Sequence, residues 1–141
     1  MGKGKRVGRR APYMVFVSHA TTDKWIARVL CEKIESTGAV TFRDDRDIAG
    51  GDDIPESIRV AIKQSRELIV LLTPHSIDRE WVRLEVGAAW GWRKDFRIVA
   101  VLCHVDVGVI PAMIKGRKAI TLNEFDDYVR ELKSRLTEHQ K

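Results

Sequence analysis

"ELIVLLT", residues 67–73, is the most strand-like stretch of this chain of 141 residues, and the fold is read outward from it. A second such run, "YMVFVS" (13–18), is apolar throughout, as expected for a strand covered on both faces. Between them the pattern changes period. Over residues 22–37, Ile26, Val29, Leu30 and Ile34 share one helical face, and Gly38 is placed to stop that helix. "AVTF" (39–42) reads as a short strand, "RDDRDIAGGDD" (43–53) as a polar loop, and "IPESIRVAIKQS" (54–65) repeats apolar residues at 54, 58, 61 and 62.

Beyond the central run the alternation continues. A helical stretch covers Trp81–Trp92, followed by the strand "RIVAVLCHV" (97–105) and a loop with Pro111 and Gly116. A short strand near "KAITL" (118–122) precedes a last helix carrying Phe125, Tyr128, Val129, Leu132 and Leu136. Five strands alternating with helices predict an α/β fold, a parallel sheet with helices on both faces. No internal repeat and no linker interrupts the body.

Composition narrows the classes. With 44% hydrophobic and 32% charged residues, the chain has the make-up of an ordinary globular domain. Its apolar runs fall far short of the roughly 20 residues that span a bilayer. No apolar stretch of signal-peptide type stands at the N-terminus, which argues against secretion. Cys31 and Cys103 lie in apolar contexts and form no CxxC pair, so free, buried thiols in a reducing cytoplasm are expected. The net charge of +5 resides in residues 1–12, "MGKGKRVGRRAP", where Lys3, Lys5, Arg6, Arg9 and Arg10 face no acid. The remainder carries twenty basic and twenty acidic residues. Residues 1–12 are therefore read as a basic flexible tail and 13–141 as the domain; nucleic acid is expected as a partner only weakly, through that tail.

In a parallel α/β sheet, ligands bind beyond the carboxyl ends of the strands. That makes Ser18, His19 and Ala20, Asp44 and Asp45, Thr73, Pro74 and His75, and His104 the segments to consider. Neither GxGxxG nor GxxxxGK[ST] occurs, and Asp52 and Asp53 would repel a pyrophosphate from "AGGDD". The four histidines lack HxxxH-type spacing and no Cys–His cluster is present, so no metal site is expected. Ser18 and His19 are adjacent strand residues that point to opposite faces, so they do not form a nucleophile–base pair. Ser18 is better read as bonding loop backbone.

Glu85 is the conspicuous residue. In "SIDREWVRLEVGAAWGW" (76–92) it shares a helical face with Trp81, Ala88 and Trp92, where a carboxylate loses hydration and needs a partner. Two readings stand: a surface pair with Arg79, Arg93 or Arg97, or a functional acid.

"FVSHATTDK", "FRDDRDIAGGDDI" and "S…ELIVLLTPHS…EWVRLE", in that order from about Tyr13 to Leu136, together resemble the Toll/interleukin-1 receptor (TIR) domain, particularly its prokaryotic branch. The resemblance implies a flavodoxin-like five-stranded parallel sheet, with Asp44, Ile48 and Gly51 on the loop after the second strand, the BB loop. Many members cleave NAD⁺ at the nicotinamide–ribose bond with a glutamate four residues after a tryptophan; here these are Glu85 and Trp81. Arg79 departs from a serine common just before that tryptophan. The resemblance further implies Ser18, His19, Ala20, Asp44, Gly51 and Trp81 as substrate-binding positions, NAD⁺ as substrate, and no separate cofactor or metal.

It also implies self-association through TIR–TIR contacts, and the segment 81–92, apolar nearly all round, suits a contact surface. The expected activity is that of an NAD⁺ glycohydrolase or cyclase activated by assembly in prokaryotic antiphage defence. It would act in the cytoplasm, off the membrane, under an upstream sensor protein or nucleotide signal. Two other classes remain open: a non-enzymatic adaptor acting through homotypic contacts, and a nucleoside or nucleotide N-glycosidase using the same glutamate.

Overall fold

A computed structural model describes residues 11–43, 56–76, 96–106 and 118–140. Five strands form one sheet: β1 (Met14–Ser18), β2 (Val40–Arg43), β3 (Glu67–Leu72), β4 (Arg97–Leu102) and β5 (Lys118–Thr121). Their order is β2-β1-β3-β4-β5, and every pairing is parallel. Three helices are described, α1 (Lys24–Glu35), α2 (Glu56–Gln64) and α3 (Phe125–Gln140). The expected Trp81–Trp92 helix lies outside the described residues, as do residues 1–10 of the basic tail and 44–53 of the BB loop. Among the described residues no helix is long and apolar enough to cross a membrane.

The sheet divides the core by strand parity. Val15, Val17, Ile69, Leu71, Val99 and Val101 point to one face, where α1 and α3 cover them with Ala27, Leu30, Ile34, Leu132 and Leu136. Phe16, Leu68, Val70, Leu72, Ile98 and Leu102 point to the other, against Ile58, Ala61 and Ile62 of α2. This is the period of two that a pleated strand imposes. With both faces covered, β3 is buried at all six positions, which is why "ELIVLLT" shows no polar alternation. β2 has a neighbour on one side only and is half-exposed along its length.

Two expectations for the first helix meet different outcomes. Gly38 adopts φ 102° just past α1, and its N–H bonds the Glu35 carbonyl at 3.0 Å, as a left-handed stop requires. The buried stripe is rotated from the one anticipated. Ala27, Leu30, Cys31 and Ile34 face the core, while Ile26 and Val29 flank it half-buried. Trp25 stands on the outer side, 70% exposed, next to a groove lined by Ile26, Val29, Leu122 and Phe125.

The amino end of the sheet holds an unexpected charge. Glu67, first residue of β3, has no exposed surface. It accepts hydrogen bonds from the hydroxyls of Tyr13 (2.5 Å) and Tyr128 (2.6 Å) and from Arg135 through Nε (2.7 Å) and NH2 (3.1 Å). A carboxylate removed from water is tolerated only with such complete satisfaction. The arrangement joins the entry to β1, the central strand and the last helix.

Burial raises the Tyr13 and Tyr128 hydroxyls well above the ordinary tyrosine range, and the Glu67 carboxylate adds to the rise while Arg135 opposes it. Their folded-state values thus lie above the unfolded value of about 10. Between the two, the unfolded chain loses a proton that the native chain keeps, so stability is complete below about pH 10 and falls as pH rises beyond it. Urea unfolding at pH 7, 9.5 and 11 should show this loss. Tyr128→Phe should lower stability at pH 7 by about 1–3 kcal/mol yet give a shallower alkaline decline. An unchanged alkaline slope would remove Tyr128 from the linkage.

Candidate functional site

The strand order reverses direction between β1 and β3, the place where an open α/β sheet of this order forms its ligand crevice. All five strands are parallel, so their carboxyl ends gather at one pole. The residues leaving β1, β3 and β4 there are Ser18 to Asp23, Thr73 to Ser76, and Cys103 to Val105.

Ser18, His19 and Ala20 form a buried floor at the end of β1, each exposed by 2% or less. Ser18 is in register with Val70 of β3, which sets this floor directly beside the central strand. A single 3-10 turn, Thr21–Asp23, then carries the chain up to α1, closed by the Asp23 N–H on the Ala20 carbonyl at 2.9 Å.

Asp23 is buried, and its sequence position ahead of an amphipathic helix is that of an N-cap. Its side chain makes no cap hydrogen bond. Oδ2 instead accepts from the Thr73 hydroxyl at 2.8 Å, across the β1/β3 boundary. Thr73 is itself bracketed: its N–H donates to Ser76 Oγ (3.0 Å), and Ser76 N–H returns to the Thr73 carbonyl (3.0 Å). The two hydroxyl oxygens are 3.1 Å apart, and Ser76 Oγ lies 3.3 Å from the Leu71 carbonyl. An ionised carboxylate only accepts, so the single Thr73 hydroxyl proton points to Asp23. The Ser76 proton is then left for Thr73 Oγ1 or Leu71.

The other strand-end candidates divide by exposure. Thr73 is buried with Asp23, while Pro74, His75 and His104 face outward. Cys31 and Cys103 are buried and not joined in a disulfide, as expected. Burial, reinforced by the negative charge of Asp23, pushes the Cys103 thiol up, which makes it a poor nucleophile at neutral pH. Among the described residues no three His, Cys, Asp or Glu side chains converge on a point that could hold a metal ion. Glu85, Trp81, Asp44 and Gly51, with Asp45 and Gly50, lie outside the described residues. The structure thus brings together Ser18, His19, Ala20 and Thr73 from the anticipated set.

Two members of the buried network were not anticipated, Asp23 and Ser76. The signal for Asp23 was present in "SHATTDK", where a short acid precedes a helical stripe, but that signal points to a cap and not to a partner fifty residues away.

A doubly covered parallel sheet with a crevice between β1 and β3 defines the flavodoxin-like class of α/β domain. Within that class the sequence matches the TIR domain family over residues 15–136, and the chain belongs to that family. It is 34% identical over 91 residues to Toll-like receptor 13 of Mus musculus, covering 62% of this chain and 9% of that protein. It is 35% identical over 75 residues to the NAD(+) hydrolase TcpA of a Theionarchaea archaeon, covering 52% of this chain and 23% of that protein. The chain therefore spans less than a quarter of the length of either relative. Among solved structures, a metazoan TIR-STING receptor from C. gigas superposes with a TM-score of 0.63 at 26% identity, over 87% of this chain and 41% of that one. The family-level expectation from the three sequence motifs is met.

One backbone feature of the rim is testable alone. His104, directly after Cys103, adopts φ 60°, where a side chain is disfavoured by about 1–2 kcal/mol relative to the right-handed region. His104→Gly should be more stable than His104→Ala by about 1 kcal/mol in urea unfolding. Equal stabilities would show that the left-handed conformation is not retained in solution.

Proposed function

We propose that this domain cleaves NAD⁺ at the bond between nicotinamide and ribose, with Glu85 as the catalytic carboxylate and Trp81 beside it. The observation that carries this reading is the likeness to an NAD(+) hydrolase of the same family, joined to a glutamate four residues after a tryptophan in this chain. The chemistry suits a single acid. Nicotinamide departs as a neutral base from a cationic ring, so no group must protonate it. The demand is for stabilisation of an oxocarbenium-like ribosyl cation, as in glycoside hydrolysis. A carboxylate held against the ribose supplies it, most effectively where water is excluded.

Ser18, His19 and Ala20 form the end of β1 against which the ribose side of the crevice would be built, with Asp44 and Gly51 contributing from the BB loop. The alternative partner Arg97 begins β4, at the opposite pole from the crevice. There it joins Lys118 and Arg135 in holding the Glu131 carboxyl below its usual range, chiefly through the Lys118 hydrogen bond.

Activity would depend on assembly. An exposed Trp25 beside an apolar groove is surface that association would cover. In the cell the domain would act in the cytoplasm as a prokaryotic antiphage effector, triggered by a sensor protein or a nucleotide signal.

Nicotinamide release from NAD⁺, followed over a protein concentration series with and without a crowding agent, tests the reading. Turnover should rise more steeply than linearly with protein, and Glu85→Gln should lower it by at least about 100-fold. Full activity in Glu85→Gln would overturn the assignment, and silence of the wild type at every concentration would favour the contact-only adaptor.

A further inference from the structure

Asp23 is employed unlike an ordinary helix-capping acid. It immediately precedes Lys24, the first residue of α1, and yet its carboxylate leaves the helix N–H groups and reaches across the β1/β3 boundary to Thr73. The cost of burying that carboxylate is offset by a charge-assisted hydrogen bond to the first residue after β3. Thr73 in turn is tied to Ser76 in both directions, by its own N–H and by its carbonyl.

We propose that Asp23 is a positioning residue: acting through Thr73 and Ser76, it fixes the turn 73–76 at the crevice end of β3, the root from which the sequence continues to Trp81 and Glu85. The inference rests on the NAD⁺-cleaving reading of Glu85, and it adds a residue that never touches substrate.

Two physical effects connect Asp23 to the turn. The first is direction. A carboxylate cannot donate, so the Thr73 proton is committed to Asp23 and a lone pair of Thr73 Oγ1 stays available towards Ser76. The Thr73 hydroxyl is thereby oriented while its N–H and carbonyl are both tied to Ser76, which gives the turn 73–76 a defined shape. The second is leverage. Ser76 lies nine positions before Glu85, and a displacement of about 1 Å at a reacting group can cost about 100-fold in rate. The α1 end of the clamp is firmly held, because Ala27, Leu30 and Ile34 anchor that helix in the core.

The test uses Thr73→Val, which keeps the shape and removes the donor. For nicotinamide release, kcat should fall by about 10-fold or more with KM within about twofold, and Thr73→Ser should recover most of the loss. Asp23→Ala should give a similar loss, and the double variant should be no worse than either single one, as expected of groups acting as a unit. A lowered melting temperature with unchanged kcat in Thr73→Val, or losses that multiply in the double variant, would overturn the proposal.

A second measurement needs no substrate. Amide exchange in a peptide spanning residues 71–76 should quicken in Thr73→Val and in Asp23→Ala but not in Thr73→Ser. Unchanged exchange would sink the clamp whatever the enzyme does. Failure of the NAD⁺ reading itself would appear separately, as activity surviving Glu85→Gln.

Discussion

The buried carboxylate of Glu67 constrains more of this structure than any other single group. An acid with no exposed surface must have its lone pairs met, and here two tyrosine hydroxyls and an arginine fork meet them. Those donors come from the residue before β1 and from two turns of α3, elements separated by more than a hundred positions in sequence. The last helix cannot slide along the sheet, nor β1 shift against β3, without uncovering a charge. Removing one partner of such a pair costs about 3–5 kcal/mol, a large part of the stability of any small domain.

With the amino pole tied in this way, the carboxyl pole is the end left for function. Parallel pairing delivers every strand end there, and the reversal of strand order opens the crevice between β1 and β3. The same two strands are bridged at that pole by a smaller polar unit, Asp23 with Thr73 and Ser76. The two poles thus use buried acids differently. Among the described residues Glu67 meets four donors and holds whole elements together, whereas the Asp23 carboxylate meets one hydroxyl, that of Thr73. A TIR domain built in this manner has a rigid base beneath strand-end loops, the arrangement that lets loops vary while their roots stay fixed.

Much of the architecture was legible because burial on both faces leaves a plain mark. β1, β3 and β4 could hardly be other than interior strands, and the helical stripes at 58, 61 and 62 and at 125, 128, 132 and 136 matched the sides that pack. The stripe of α1 was less legible. Ile26 and Val29 are as apolar as Leu30, and only docking onto the sheet brings Ala27 and Cys31 inward and leaves Ile26 and Val29 at the flank. For the candidate site, Ser18, His19, Ala20 and Thr73 were expected at strand ends and the structure places them there, while Glu85 and Trp81 came from a family pattern and lie outside the described residues.

By itself the sequence determined the class of fold, the extent of the domain's likeness to its family, and the candidate acid, because periodicity and short motifs are local properties of a chain. Tertiary structure alone decided how the buried acids are used. Nothing near Glu67 in the sequence announces Tyr13, Tyr128 and Arg135, and nothing near Asp23 announces Thr73. A buried charge is satisfied by whatever donors the fold carries to it, and those donors are fixed by strand register and helix docking, which act across long separations in sequence.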